Sequence, residues 1–218
     1  MTEHGDTKAR ILDTAERLFA EQGYAETSMR CITSGAGVNL ASVNYHFGSK
    51  EALLLEVIAR RIGPVNEARM SLLDDVDAES EDEAPDLEKV VRAFLLPAIK
   101  AIYEAGEQGK MFMRLIGRTH SETNDNIRSM FMDQFKETLP RFAEMFHRAL
   151  PDLSVEEVRL RMFFMVGAMA HSMAMSHKVE WLPHGEGAMA QLAEALVQFT
   201  TAGMSAALAP AVKQVSQS

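Results

Sequence analysis

Residues 11–60 read ILDTAERLFA EQGYAETSMR CITSGAGVNL ASVNYHFGSK EALLLEVIAR, and this stretch decides the fold. Its opening sets Ile11, Leu12, Ala15, Leu18 and Phe19 at i, i+1, i+4, i+7 and i+8, one apolar stripe of a helix. That helix is expected from about Lys8 to Gln22, with Gly23 as the residue that ends it. Thr27-Ser28 offers N-cap hydroxyls for a short helix through about Ser34. Gly35-Ala36-Gly37 is a tight break. Asn39 caps a third helix ending near Phe47, with Val43 and Phe47 inward at i, i+4, and Gly48 stops it. Ser49 caps a fourth helix, with Glu51 in the first turn, where the helix dipole favours an acid. Two short helices joined by a tight glycine-containing turn, with a third helix backing them, form a helix-turn-helix.

The second helix of such a unit must be apolar on one side and polar on the other. In LASVNYHF, Ala41, Ser42, Asn44 and Tyr45 turn outward. Small Ala41 and Ser42 let the helix sit deep in a DNA major groove. Ser42 can bond several base edges, and Asn44 suits adenine. Tyr45, His46 and Lys50 can reach phosphate oxygens. Thr27 and Ser28 place hydroxyls and backbone N–H groups at a helix N-terminus, a natural phosphate position. Residues 27–50 contain Arg30 and Lys50 and no acid, and Asn39 lies on the same expected surface.

These residues resemble the DNA-binding region of TetR-type repressors. The resemblance rests on I-L-x-x-A-x-x-L-F-x-x-x-G-Y at Ile11–Tyr24, T-S at Thr27-Ser28, A-G-V at Ala36–Val38, and Y-H-F-x-x-K at Tyr45–Lys50 followed by E-x-L. It covers about a quarter of the chain. It implies that the first three helices read DNA and that the fourth links them to an effector domain. It also implies that the last two long helices pair with a second subunit in a four-helix bundle. Effector binding would then move the fourth helix and spread the two reading heads. By the same resemblance, Tyr45 and His46 match an aromatic and a histidine that touch phosphates, and Lys50 matches a lysine at the start of the fourth helix. Two positions depart from the pattern: Leu40 stands where a polar or basic residue is frequent, and Asn44 replaces a frequent aromatic. The run Phe112–Gly117, FMRLIG, is similar to fatty-acid-responsive members.

Beyond residue 60 the sequence predicts an all-α fold of about nine helices, with residues 1–50 as a helix-turn-helix domain and 51–218 as a ligand-binding and dimerisation domain. Gly63-Pro64 should kink or split the fourth helix. Residues 74–88, DDVDAESEDEAPDLE, hold nine acids and no base and read as a solvated loop. Further helices are expected at about Leu87–Ala105, Lys110–Thr119, Glu122–Leu150 with Pro140 as a kink, Ser154–His177 and Glu186–Met204.

Residues 111–175 contain ten methionines and seven phenylalanines. Met162, Met165, Met169 and Met173 recur on one helix face, either as core packing or as an adaptable apolar pocket. With Met113, they outline a site for an apolar or amphipathic effector such as an acyl chain or an aromatic compound. Arg114 and Arg118, at i, i+4, would anchor an acidic head group, and His120 and His171 would line the same cavity. Gly167, Ala168, Ala170 and Ala174, with Ala188, Ala195 and Ala202, allow the close helix approach of a homodimer.

Composition bounds the rest. The net charge of −9 equals that of the acidic run alone, so the DNA-facing surface is weakly positive within an acidic protein. A single cysteine, Cys31, forms no internal disulfide and no cysteine-based zinc site. Without an apolar leader or a run long enough to span a bilayer, a cytoplasmic protein with no membrane partner is expected. No H-E-x-x-H, G-x-S-x-G or P-loop is present, and no catalytic residue, metal or cofactor is expected. The expected function is a DNA-binding regulator, a repressor released from a palindromic operator by a small effector. The alternatives are an activator, or a small-molecule-binding helical protein without DNA function.

Overall fold

The computed structural model describes residues 3–81, 83–121, 125–176 and 178–207, with the side chains of 3–5, 118–121, 125, 126 and 128 left aside. Ten helices and no strand occur among the described residues: α1 Glu3–Gln22, α2 Met29–Ala36, α3 Leu40–Phe47, α4 Lys50–Ser80, α5 Leu87–Glu104, α6 Glu107–Ser121, α7 Asp125–Asp133, α8 Thr138–Ala149, α9 Val155–Met175 and α10 Ala188–Ser205.

The expected stripe of α1 is the core stripe: Ile11, Leu12, Ala15, Leu18 and Phe19 are all buried. They pack with Ile32, Val43, Phe47 and the first half of α4, through Leu53, Leu54, Val57, Ile58 and Ile62. Phe112 and Leu115 of α6 and Ile127 and Phe131 of α7 complete this cluster. A second cluster joins the far half of α4 (Leu73, Val76) to α5, α8, α9 and α10. Among the described residues, only α4 and α6 contribute buried side chains to both clusters, α6 by sending Met113 to the second. Its passage over α5 is close: a Cβ on Gly109 would collide with the backbone carbonyl of Ile102.

Three sequence expectations are corrected. First, α4 is one continuous helix of 31 residues through Gly63 and Pro64. Pro64 is exposed and removes one backbone bond, while buried apolar residues on both sides of it hold the helix together. Second, the acidic run is not all loop, because residues 74–80 are the end of α4. Its acids have cations opposite: Asp74 meets Arg141 at 2.9 Å, Asp77 meets Arg148 at 2.5 Å, and Glu79 meets Lys89 at 2.6 Å. Buried Leu73 and Val76 lie between them on the inner face. Third, α7 and α8 stand where one helix was expected over 122–150, which raises the count from nine to ten among the described residues. Pro140 lies in the first turn of α8, where a missing N–H leaves nothing unsatisfied. In the preceding turn, Asn66 of α4 donates to the Gln134 carbonyl at 2.8 Å. The first helix also begins five residues before the expected Lys8, at Glu3.

No helix among the described residues is long and apolar enough to cross a membrane.

Candidate nucleic-acid interface

Each element of the α2–α3 unit is capped by its own sequence. Ser28 Oγ accepts from the Cys31 N–H at 3.1 Å, and Asn39 Oδ1 accepts from the Ser42 N–H at 2.8 Å. Gly37 closes α2 in the left-handed region at φ 63°, which permits the abrupt turn into α3. Arg10 of α1 donates to the Ala36 carbonyl and so ties the turn to the backing helix. Val43 and Phe47 are buried, which leaves Ala41, Asn44 and Tyr45 on the exposed side.

Tyr45 is 79% exposed and meets the His46 ring edge-on, with centroids 5.3 Å apart. A shallow concavity of about 320 Å³ runs beside them, lined by Thr7, Asn39, Ala41, Ser42, Tyr45 and His46. Five of those six were expected from sequence. Thr7 was missed, because the start of α1 carries no apolar stripe to mark it as helix. The Ser42 hydroxyl lies 3.1 Å from Asn39 Oδ1 and is held by the cap.

At the junction with α4, Lys50 Nζ lies 4.2 Å from the Tyr24 ring centroid and donates to the Ala25 carbonyl at 3.4 Å. The Tyr24 hydroxyl donates to Glu51 at 2.6 Å. That bond, above all, holds the Glu51 carboxyl below its ordinary range. Lys50 is therefore oriented by an aromatic face and a carbonyl.

Thr27 is a correction. Its side chain is fully buried, and its hydroxyl donates to the carbonyls of Gly23, at 2.7 Å, and Leu18, at 3.2 Å. The hydroxyl locks the α1–α2 turn and does not face a phosphate. Ser28 and Arg30 are exposed beside it.

The reading unit is fastened to α4 by a buried acid. Glu16 of α1 is 3% exposed and takes Arg60 at 2.5 Å and Arg61 at 3.0 Å. Arg60 also reaches Asp13 at 2.7 Å, and Arg61 donates to Gln108 of α6 at 2.9 Å. No periodicity announces this cluster, since Glu16 sits on a face whose neighbours are apolar.

The residues expected to line an effector site divide. Met113, Met165, Met169 and Met173 join the second core cluster. Arg114 and His171 are exposed, so neither is buried in that core. The side chains of Arg118 and His120 lie outside the described residues. Among the described residues, no group of three or more His, Cys, Asp or Glu could hold a metal ion.

Comparison with known proteins agrees with this arrangement. Residues 11–57 match the family of bacterial regulatory proteins of the tetR type, and residues 92–203 match the tetracyclin repressor-like C-terminal domain. Over 58 residues the chain is 43% identical to the HTH-type transcriptional regulator YerO of Bacillus subtilis, a stretch that is 27% of this chain and 20% of that one. Over 57 residues it is 37% identical to UidR of Escherichia coli, covering 26% and 29%. The chain thus spans less than a third of either relative. Whole-chain likeness comes from solved structures. A TetR-family regulator from Bordetella parapertussis superposes with a TM-score of 0.64 at 17% identity, over 88% of this chain and 93% of that one. The fatty acid degradation regulator FadR from Bacillus halodurans gives 0.62 at 17%, over 90% and 95%. At such identities these two show the fold alone. Both the N-terminal and the C-terminal family models match, the second over half of the chain, and the protein belongs to the TetR family of bacterial regulatory proteins.

Proposed function

We propose that this protein is a homodimeric, sequence-specific DNA-binding transcriptional regulator, a repressor released from a palindromic operator by a small apolar or amphipathic effector. The observation that carries the reading is the outer face of α3. Its buried side is anchored by Val43 and Phe47, both ends are capped, and it presents Ala41, Asn44 and Tyr45 to solvent in a stretch free of acids. Ser28, Arg30, His46 and Lys50 supply the flanking phosphate contacts, with Asn39 and Ser42 as a capped pair at the start of the reading helix. We assign residues 1–50 to DNA reading and 51–218 to effector binding and dimerisation, with α4 crossing from one to the other.

The dimer surface is the outer side of α9 and α10. Phe163 is 71%, Phe164 60% and Phe199 69% exposed, and Leu160 lies beside them. Gly167, Ala195 and Ala202 are also exposed. An apolar face of this size is costly in water unless a second copy covers it. The methionine core behind it is deformable, which suits an effector that repacks the bundle. Movement there is transmitted by α4, whose 31 residues span about 46 Å at 1.5 Å per residue.

Selection of bound duplexes from a random pool at near-physiological salt tests the reading. An enriched inverted repeat is expected. An unstructured pool after repeated rounds overturns it.

A further inference from the structure

We propose that Arg69 is the anion anchor of the effector site, holding the carboxylate of a small amphipathic ligand whose apolar part lies against the methionines of α9. This rests on the reading of the chain as an effector-responsive regulator, and it names the ligand's chemistry.

Arg69 lies in the second half of α4 and is 2% exposed. Its Nε donates to the Phe94 carbonyl at 2.8 Å, and its guanidinium carbon sits 4.1 Å from the Phe94 ring centroid. One terminal nitrogen donates to Asn66 Oδ1 at 3.3 Å, and the other faces only the Met169 sulfur at 3.8 Å. A guanidinium carries five N–H donors. Two reach oxygen here, and three find no oxygen acceptor among the described residues. No carboxylate among the described residues lies within ion-pair distance. The acids further along the same helix, Asp74 and Asp77, are taken by Arg141 and Arg148. Burial lowers the Arg69 pKa to about 10, so the group remains a cation at neutral pH. A buried cation of this kind is strongly disfavoured unless an anion joins it.

A purely structural role accounts for one donor. Nε donates to the Phe94 carbonyl at 2.8 Å, in the turn of α5 that precedes Pro97, and so ties α4 to α5. A neutral donor would serve there equally well, and the contact with the Phe94 ring leaves the charge without a counter-anion among the described residues.

The surroundings select the ligand. Phe94, Met165, Met169 and Met173 belong to one apolar cluster, and methionine side chains adapt to the shape of a guest. A single arginine neutralises one negative charge, which fits a carboxylate; a phosphate dianion would bring a second charge into the core uncompensated. A planar carboxylate also matches the guanidinium fork. The anchor sits on the helix that carries the Glu16-paired Arg60 and Arg61, so a ligand there acts directly on the support of the reading unit.

The test compares octanoate with octan-1-ol by titration calorimetry on the full chain. Octanoate is expected to bind at least about tenfold more tightly, the worth of one charge-assisted bond. Arg69→Met is expected to abolish that preference. Should it fail to fold, Arg69→Gln, which keeps an N–H for the Phe94 carbonyl and removes the charge, gives the same readout. Equal binding of the two probes, no binding of octanoate at millimolar concentration, or a preference that survives both substitutions overturns the anchor. DNA selection on the same preparations separates the two claims. Operator binding without octanoate binding overturns the anchor alone, whereas octanoate binding through Arg69 with no DNA selected overturns the regulator reading and leaves the anchor standing.

Discussion

The two halves of α4 hold arginines under opposite conditions. Arg60 and Arg61, in the first half, converge on the buried carboxylate of Glu16 and fasten the helix-turn-helix unit. Arg69, eight residues beyond Arg61, is more deeply buried than either and meets a carbonyl, an amide, a sulfur and an aromatic ring. The first arrangement is complete within the chain and acts as a rivet. The second is incomplete in charge, which is the usual condition of a group that waits for something to bind. The same contrast runs through the whole molecule. The N-terminal cluster buries its apolar residues and exposes a polar helix, whereas the C-terminal bundle exposes phenylalanines and keeps a cation inside.

The contrast is broken or sharpened by specific changes. The largest effect is expected from Glu16→Ala, which strands two partly buried cations. Stability should fall by about 3 kcal/mol, the low end for breaking a buried pair because each arginine retains some solvent. Urea unfolding measures it, and a loss below about 1 kcal/mol would reduce the rivet to a surface bridge.

Next in size, Tyr45→Ala with Lys50→Ala should weaken operator binding about a hundredfold and lower the salt slope by about one, with folding unchanged. Fluorescence anisotropy at several salt concentrations gives both quantities. Asn44→Ala should cost about 1–3 kcal/mol at one base pair and little elsewhere. Repeating the duplex selection with the variant shows this as a relaxed position in the enriched repeat; a uniform loss on every sequence contradicts it.

On stability, Arg69→Met should lie within about 1 kcal/mol of the parent in the absence of ligand. The lost carbonyl bond and ring contact are offset by removing a desolvated charge. A loss as large as that of Glu16→Ala would make the two arginine sites alike and erase the comparison. Smallest of all, Arg114→Ala should leave effector response and DNA binding as they are, since the side chain points to solvent. A desensitised response in a reporter assay would return the acidic head group to α6.

Much of the reading unit was legible because its signals are local. The caps Ser28, Asn39 and Ser49 act over three residues, and the stripe of α1 repeats with the helix itself. The inward side of α3 follows from Val43 and Phe47 alone. Thr27 escaped because its partners, the carbonyls of Leu18 and Gly23, lie on the preceding helix and turn. Thr7 escaped because nothing near it in sequence says which surface it borders.

The sequence by itself determined the all-helical class, the position of the reading helix, the acid-free character of its surroundings and the methionine stripe of α9. Each depends on spacing within a turn or two, where backbone geometry leaves little choice. Tertiary structure alone decided that the acidic run begins as helix, since that needs Arg141, Arg148 and Lys89 brought from elsewhere in the chain. It also turned Arg114 and His171 outward and Arg69 inward. A lone arginine in a helix reads as a solvated charge until the packing of α5 and α9 closes over it, because burial belongs to the fold and not to the residue.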